Sequence, residues 1–184
     1  MFDSAGFSLF VIAVIVFVGW FAVGTQYNVR RGKSALKWLQ EGLPLVGERA
    51  SVRWLGSSVI ELKIAEAKAP FRSAEVLVVL EPRDVPLIWW WTHARGRRDL
   101  LIFRCQLRGA PKFEKELGAG LPDALNTLVA TSNFDGLSLT RLCVHRREPN
   151  LEVHFLLPKF EAVESARVFS GLRELAEEVA GVSA

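Results

Sequence analysis

From Ala5 to Gly24 no charged side chain interrupts the chain and nearly every position is apolar. This run limits what the chain can become more than any later segment does. Helical residues rise about 1.5 Å each, so twenty of them span roughly 30 Å, the thickness of a bilayer's hydrocarbon layer. A transmembrane helix over residues 5–26 is therefore expected. The competing reading, a cleaved secretory signal, needs a basic stretch ahead of the apolar run and small residues at the cut. Only Asp3 is charged ahead of it, and Ala22-Val23-Gly24 makes a weak cleavage sequence. Lys and Arg resist translocation, and Arg30, Arg31, Lys33 and Lys37 follow the run while none precedes it. The sequence thus predicts a single-pass protein of the cell membrane, with its N-terminus outside and the remainder cytoplasmic.

Beyond the span, residues 27–47 read as a juxtamembrane basic helix and linker, and 48–184 as one cytoplasmic domain large enough for a real core. In the helix, Leu36, Leu39 and Leu43 recur at helical spacing, Tyr27 and Trp38 suit a membrane interface, and Gly42 and Pro44 provide a stop. Whether this piece lies on the membrane or continues upright into the domain is open at this level. Cys105 and Cys143 have no paired spacing and read as two free thiols of a reducing compartment.

From Ala50 the period of the pattern changes to two. Strands are expected from Val52, over 59–65, over 74–80 as a central strand covered on both faces, and over 100–107. Between the last two, Asp84 as cap and Pro86 in the first turn predict a short helix carrying the triple tryptophan Trp89-Trp90-Trp91. Its spacing would turn Leu87, Trp90, Trp91 and Ala94 to one face. Residues 109–136 are broken by glycine and proline, with one helix expected at 121–131 and a turn at Asp135-Gly136. A hairpin over 137–146 and 151–157 and an amphipathic helix over 161–180 close the chain. Short connections between strands argue for an α+β fold, one N-terminal transmembrane helix followed by a mainly antiparallel sheet covered by helices.

Charge and aromatic placement supply the candidate contacts. The formal charge is only +3, but cations crowd after the span and again at Arg95, Arg97, Arg98, Arg104 and Arg108, diluted there by Asp99. No nucleic-acid motif accompanies them, so nucleic acid is not expected and anionic lipid headgroups are the simpler partner. If Leu87, Trp90 and Trp91 pack inward, Ile88 and Trp89 stand at the edge beside those arginines, as a second membrane contact or an anchor for a partner subunit. The alternative is that all three indoles are core. The interface set is then Arg30, Arg31, Lys33, Lys37, Trp38, Trp89, Arg95, Arg97 and Arg98.

Catalytic chemistry finds little purchase. His145 and His154 fall nearly opposite each other across the expected hairpin, but two ligands do not make a metal site. His93 has no evident carboxylate partner. No serine or cysteine stands in a nucleophile motif, and Gly118-Ala-Gly120 lacks the rest of a phosphate loop. No cofactor is implied. The sequence therefore points to an accessory, scaffold or assembly subunit of a membrane protein complex, in contact with the lipid bilayer and other membrane-protein subunits. The alternative is a membrane-tethered enzyme or a small-ligand or lipid-binding domain whose site lies in the irregular region 109–136.

Overall fold

The computed structural model describes residues 4–111, 113–116, 134, 137–160 and 162–181. The expected helix at 121–131, the Asp135-Gly136 turn and most of the irregular region lie outside the described residues. The chain opens with α1 (Ser4–Gly42), a single helix of 39 residues and roughly 60 Å at 1.5 Å per residue. A 3₁₀ turn (Leu43–Leu45) containing Pro44 ends it. Then follow β1 (Gly47–Trp54), β2 (Val59–Ala67), β3 (Phe71–Val79), α2 (Pro86–Ala94), β4 (Leu100–Leu107), β5 (Lys115–Glu116), β6 (Leu139–Val144), β7 (Leu151–Leu156) and α3 (Ser165–Ala180). The strands form one seven-stranded sheet in the order β1-β2-β3-β4-β7-β6-β5, with every neighbouring pair antiparallel. The fold is α+β.

Strand alternation decides which side of the sheet carries the core. Ile60, Leu62 and Ile64 of β2, Val76 and Val78 of β3, Leu101, Phe103 and Cys105 of β4, and Leu151, Val153 and Phe155 of β7 point to one face and are buried. The residues between them are polar or half-buried, except Ile102, which is buried on the other face. Two helices cover the apolar face. From α3 come Val168, Phe169, Leu172, Leu175, Ala176 and Val179, spaced by three and four so that one stripe meets the sheet. Gly181, left-handed at φ 67°, ends that helix with its N–H turned back to the last carbonyls. The other cover is the second half of α1, whose Ala35, Trp38 and Leu39 belong to the same core.

α1 is thus two things in one uninterrupted helix. Between Phe7 and Val23 its large apolar side chains are exposed, and the stretch is long and apolar enough to cross a membrane. From Gly24 on, one side is buried in the domain. The helix continues upright into the fold, which corrects the interfacial placement of Trp38. That indole is only 5 % exposed, and its N–H donates to the Val163 carbonyl at 2.6 Å. The first half carries no charge, and no other element of the described residues covers its outer sides. Beyond it the helix is amphipathic because the sheet covers only one side.

Close approach of α1 to the domain depends on Gly24. A Cβ there would stand 2.2 Å from the Arg83 carbonyl oxygen, whereas one at Gly19 would meet nothing within 4 Å. Gly24→Ala is expected to lower stability by about 1–3 kcal/mol, the usual cost of overpacking against backbone, while Gly19→Ala stays near neutral. Thermal unfolding of both variants in detergent checks the contrast.

Four details depart from the sequence expectations. Asp84 does not cap α2; the N-cap is Val85, and Asp84 accepts instead from the Ser57 hydroxyl at 2.6 Å. The face Leu87, Trp90 and Trp91 turns outward instead of inward, because Trp89 is the residue held inward, by Glu81 and by the Trp20 ring of α1. His145 does not face His154. The hairpin pairs Val144 with Leu151 and Arg141 with His154, since buried Asn150 binds the carbonyls of His145 and Arg146 and draws the turn's centre toward residue 147. Finally, β3 is covered by helices on one face only; on the other, Glu75, Leu77 and Val79 are half-buried.

Candidate membrane-facing site

The connection between β3 and β4 leaves the sheet, forms α2 and returns, and both of its ends carry an acid. Glu81 follows β3 and is 2 % exposed; Asp99 precedes β4 and is 8 % exposed. Buried carboxylates need partners, and α1, α2 and the connection itself supply them. Asp99 Oδ1 accepts from the Glu81 backbone N–H at 2.8 Å and from Arg83 at 2.9 Å, and Oδ2 accepts from Arg31 Nε and Arg83 at 3.2 Å each. Fully buried Asn28 donates to the Glu81 carbonyl at 3.0 Å and accepts from Arg83 at 3.3 Å. Glu81 Oε2 takes the Trp89 indole N–H at 2.7 Å and His93 Nδ1 at 2.9 Å. With a carboxylate as acceptor, the hydrogen of that last bond sits on Nδ1. Two acids are thereby ringed by Arg31, Arg83 and His93, and the expectation that His93 lacks a carboxylate partner is corrected.

Trp20 closes the junction from the side of the apolar stretch. Its indole N–H donates to the Arg83 carbonyl at 2.9 Å, and its ring lies 5.9 Å from that of Trp89. The Arg83 guanidinium sits 5.0 Å above the Tyr27 ring. Val16, Gly19, Trp20, Val23, Gly24 and Tyr27 form one stripe of α1, which meets Arg83 and Trp89 in an apolar groove of about 360 Å³. The foot of α2 therefore stands level with the last turns of the apolar stretch.

The interface residues expected from sequence separate into three groups. Arg30, Lys33, Lys37, Arg95, Arg97 and Arg98 are exposed. Arg31, half-buried, is spent on Asp99, and Trp38 is core. Trp89 is half-buried between Trp20 and His93, with its N–H satisfied. What α2 presents outward is Leu87, 78 % exposed, Trp90, 68 % exposed, and also Ile88 and Trp91. Arg95 folds back so that its guanidinium lies 3.7 Å over the Trp91 ring. Sequence reasoning missed Glu81, Asp99 and Asn28. A signal existed for Asp99, the lone acid inside an arginine cluster, but it reads as dilution until the chain brings Arg31 from far away.

A second polar region lies on the sheet face away from the helices. One cross-strand row runs Lys63, Glu75, Arg104, Glu152, alternating in sign over β2, β3, β4 and β7. It continues through Cys143 to Glu116. Opposite charges directly across a ladder stabilise the pairing modestly. Beside it is a shallow groove of about 720 Å³ that also touches Gln106 and Glu148. Burial, with the neighbouring Glu61 carboxyl, pushes the Glu75 carboxyl above its ordinary value. Burial would raise Glu152 as well, but hydrogen bonds from His154 and Arg104 outweigh it and hold this carboxyl below the ordinary range. Burial pushes the Cys105 thiol up, which disfavours its thiolate. Toward the end of the sheet near α2 the same face turns apolar, with Val59, Val79, Leu100 and Leu156 in one row. Among the described residues no three His, Cys, Asp or Glu side chains converge for a metal ion.

Comparison with protein-family models and with curated proteins finds no match for this chain.

Proposed function

We propose that the protein is a single-pass membrane-anchored cytoplasmic module that acts through contacts, as an accessory, scaffold or assembly subunit of a membrane protein complex. In this reading α1 crosses the bilayer with its N-terminus outside, and Arg30, Lys33 and Lys37 stay on the cytoplasmic side. The observation that carries it is the continuity of α1, apolar and exposed in its first half and built into the core in its second. A domain joined by a flexible linker would sample many attitudes to the membrane. One joined by a packed helix and a buried ion network is held at one height and angle, which lowers the ordering cost of binding a neighbour in the same membrane.

Two measurements test the proposal. A cysteine replacing exposed Gln40 is expected to resist an impermeant maleimide in intact cells and to react after permeabilisation; reaction in intact cells reverses the topology. Purification in gentle detergent is expected to bring other membrane proteins with the chain in fixed proportion, and recovery of a lone monomer overturns the docking role. The second reading, a membrane-tethered enzyme or small-ligand domain, draws on the groove where Glu75 and Glu152, shifted in opposite directions, flank Arg104.

A further inference from the structure

We propose that α2 lies in the headgroup layer of the bilayer, with Leu87, Ile88, Trp90 and Trp91 among the upper acyl chains and Arg95, Arg97 and Arg98 on anionic phospholipid headgroups. The inference rests on the reading of α1 as the membrane span and identifies a second element that the same membrane holds. Four large apolar side chains on nine residues are exposed, far more than a short surface helix in water presents. They are continuous with an apolar surface already assigned to lipid. Through Trp89, α2 meets the α1 stripe from Val16 to Tyr27, so α2 stands beside the bilayer if α1 is in it. The helix itself carries neither Lys, Arg, Asp nor Glu.

Composition changes abruptly where the helix ends. Arg95, Arg97 and Arg98 follow within four residues of Ala94, all exposed. A helix C-terminus already favours cations, and an indole beneath a guanidinium, as at Trp91 and Arg95, suits the layer where apolar tails meet charged headgroups. Trp89 has a different task. Its N–H is tied to Glu81 and its ring to Trp20, so it sets the depth of α2 against α1 and leaves Trp90 and Trp91 to the lipid. Anionic headgroups fit the three cations, each of which contributes about 1 kcal/mol, or roughly fivefold, near such a surface.

Full-length protein in vesicles of equal phosphatidylcholine and phosphatidylglycerol tests this by spin labels at Trp90→Cys, at Phe17→Cys in the span and at Arg49→Cys on β1. Labels at 17 and 90 are expected to be relaxed strongly by oxygen and weakly by a water-soluble nickel chelate, and the label at 49 the reverse. A lipid signal at 17 with a water signal at 90 overturns the inference and leaves the span intact. A water signal at 17 overturns the span reading itself. A label at 90 shielded from both relaxants means that protein covers α2 and also overturns the inference. The headgroup preference is read from the two phospholipids retained after mild detergent extraction. Phosphatidylglycerol is expected in excess, and the excess is expected to fall severalfold in the triple variant Arg95→Gln, Arg97→Gln, Arg98→Gln. An unchanged ratio removes the arginines from the lipid site.

Discussion

A chain that begins at Glu48 is expected not to fold, although it contains both shorter helices and every strand but for Gly47 at the start of β1. The core of the sheet is closed by Ala35, Trp38 and Leu39 of α1. Losing a fully buried Trp or Leu side chain costs about 2–5 kcal/mol each when a cavity is left. Removing both, with the Asn28 and Arg31 contacts at the other end, amounts to most of the roughly 5–15 kcal/mol that holds an ordinary domain together. It also bares Ile60, against which Gly32 of α1 packs, so the fragment is expected to aggregate. A chain beginning at Ala22 keeps all of these groups and is expected to unfold cooperatively. Urea titration of the two fragments, followed by circular dichroism, makes the comparison. A sharp transition in the shorter one would show that α1 merely leans on the domain.

Asp99→Ala should be the most damaging single substitution at the junction. It takes the carboxylate partner from Arg31, leaves Arg83 only the Glu81 carboxylate at 3.7 Å, and removes the acceptor of the Glu81 N–H. Breaking a buried charge network from one side typically costs about 3–5 kcal/mol, more than the network's net worth, because the remaining charges stay desolvated. Asp99→Asn, which keeps one acceptor oxygen and the shape, is expected to cost less. Replacing Arg31 and Asp99 together by Met and Leu should recover part of the loss, since it removes both the acid and one of the stranded cations. Unfolding midpoints of these variants in detergent give the comparison. Equal stability of Asp99→Ala and the parent would mean that Arg31 and Arg83 reach water in the folded protein.

The legible parts of this chain were those in which one physical demand acts on consecutive residues. An uncharged run of bilayer length reads as a helix that water does not favour, and the structure has that helix with its apolar side chains exposed. Alternation in β2 and β4 and the three-four spacing of α3 report half-buried elements, because burial on one side imposes the period directly. Pro44 after Gly42 marks the end of α1 for a local backbone reason. Short elements were harder. β5 has two residues and no period, and α2 has apolar side chains on every face, so its sequence does not say which face turns inward. The hairpin register went astray because it depends on Asn150, whose side chain fastens the turn through two carbonyls.

By itself, then, the sequence determined the long apolar N-terminal helix, the α+β class, the cations that follow the apolar run and the crowding of arginine after the tryptophans. Each of these is carried by neighbours along the chain. Only the tertiary structure decided that α1 is both an exposed apolar helix and a core helix, that Trp38 is buried, that Trp89 faces inward while Trp90 faces outward, and that Arg31 serves Asp99 instead of the surface. The reason is sequence separation: Arg31 and Asp99 lie 68 residues apart, and Trp38 and Val163 lie 125 apart. A side chain's neighbours across such distances are set by how sheet and helices pack. A cation beside a membrane span looks the same in sequence whether it meets a lipid phosphate or a buried carboxylate.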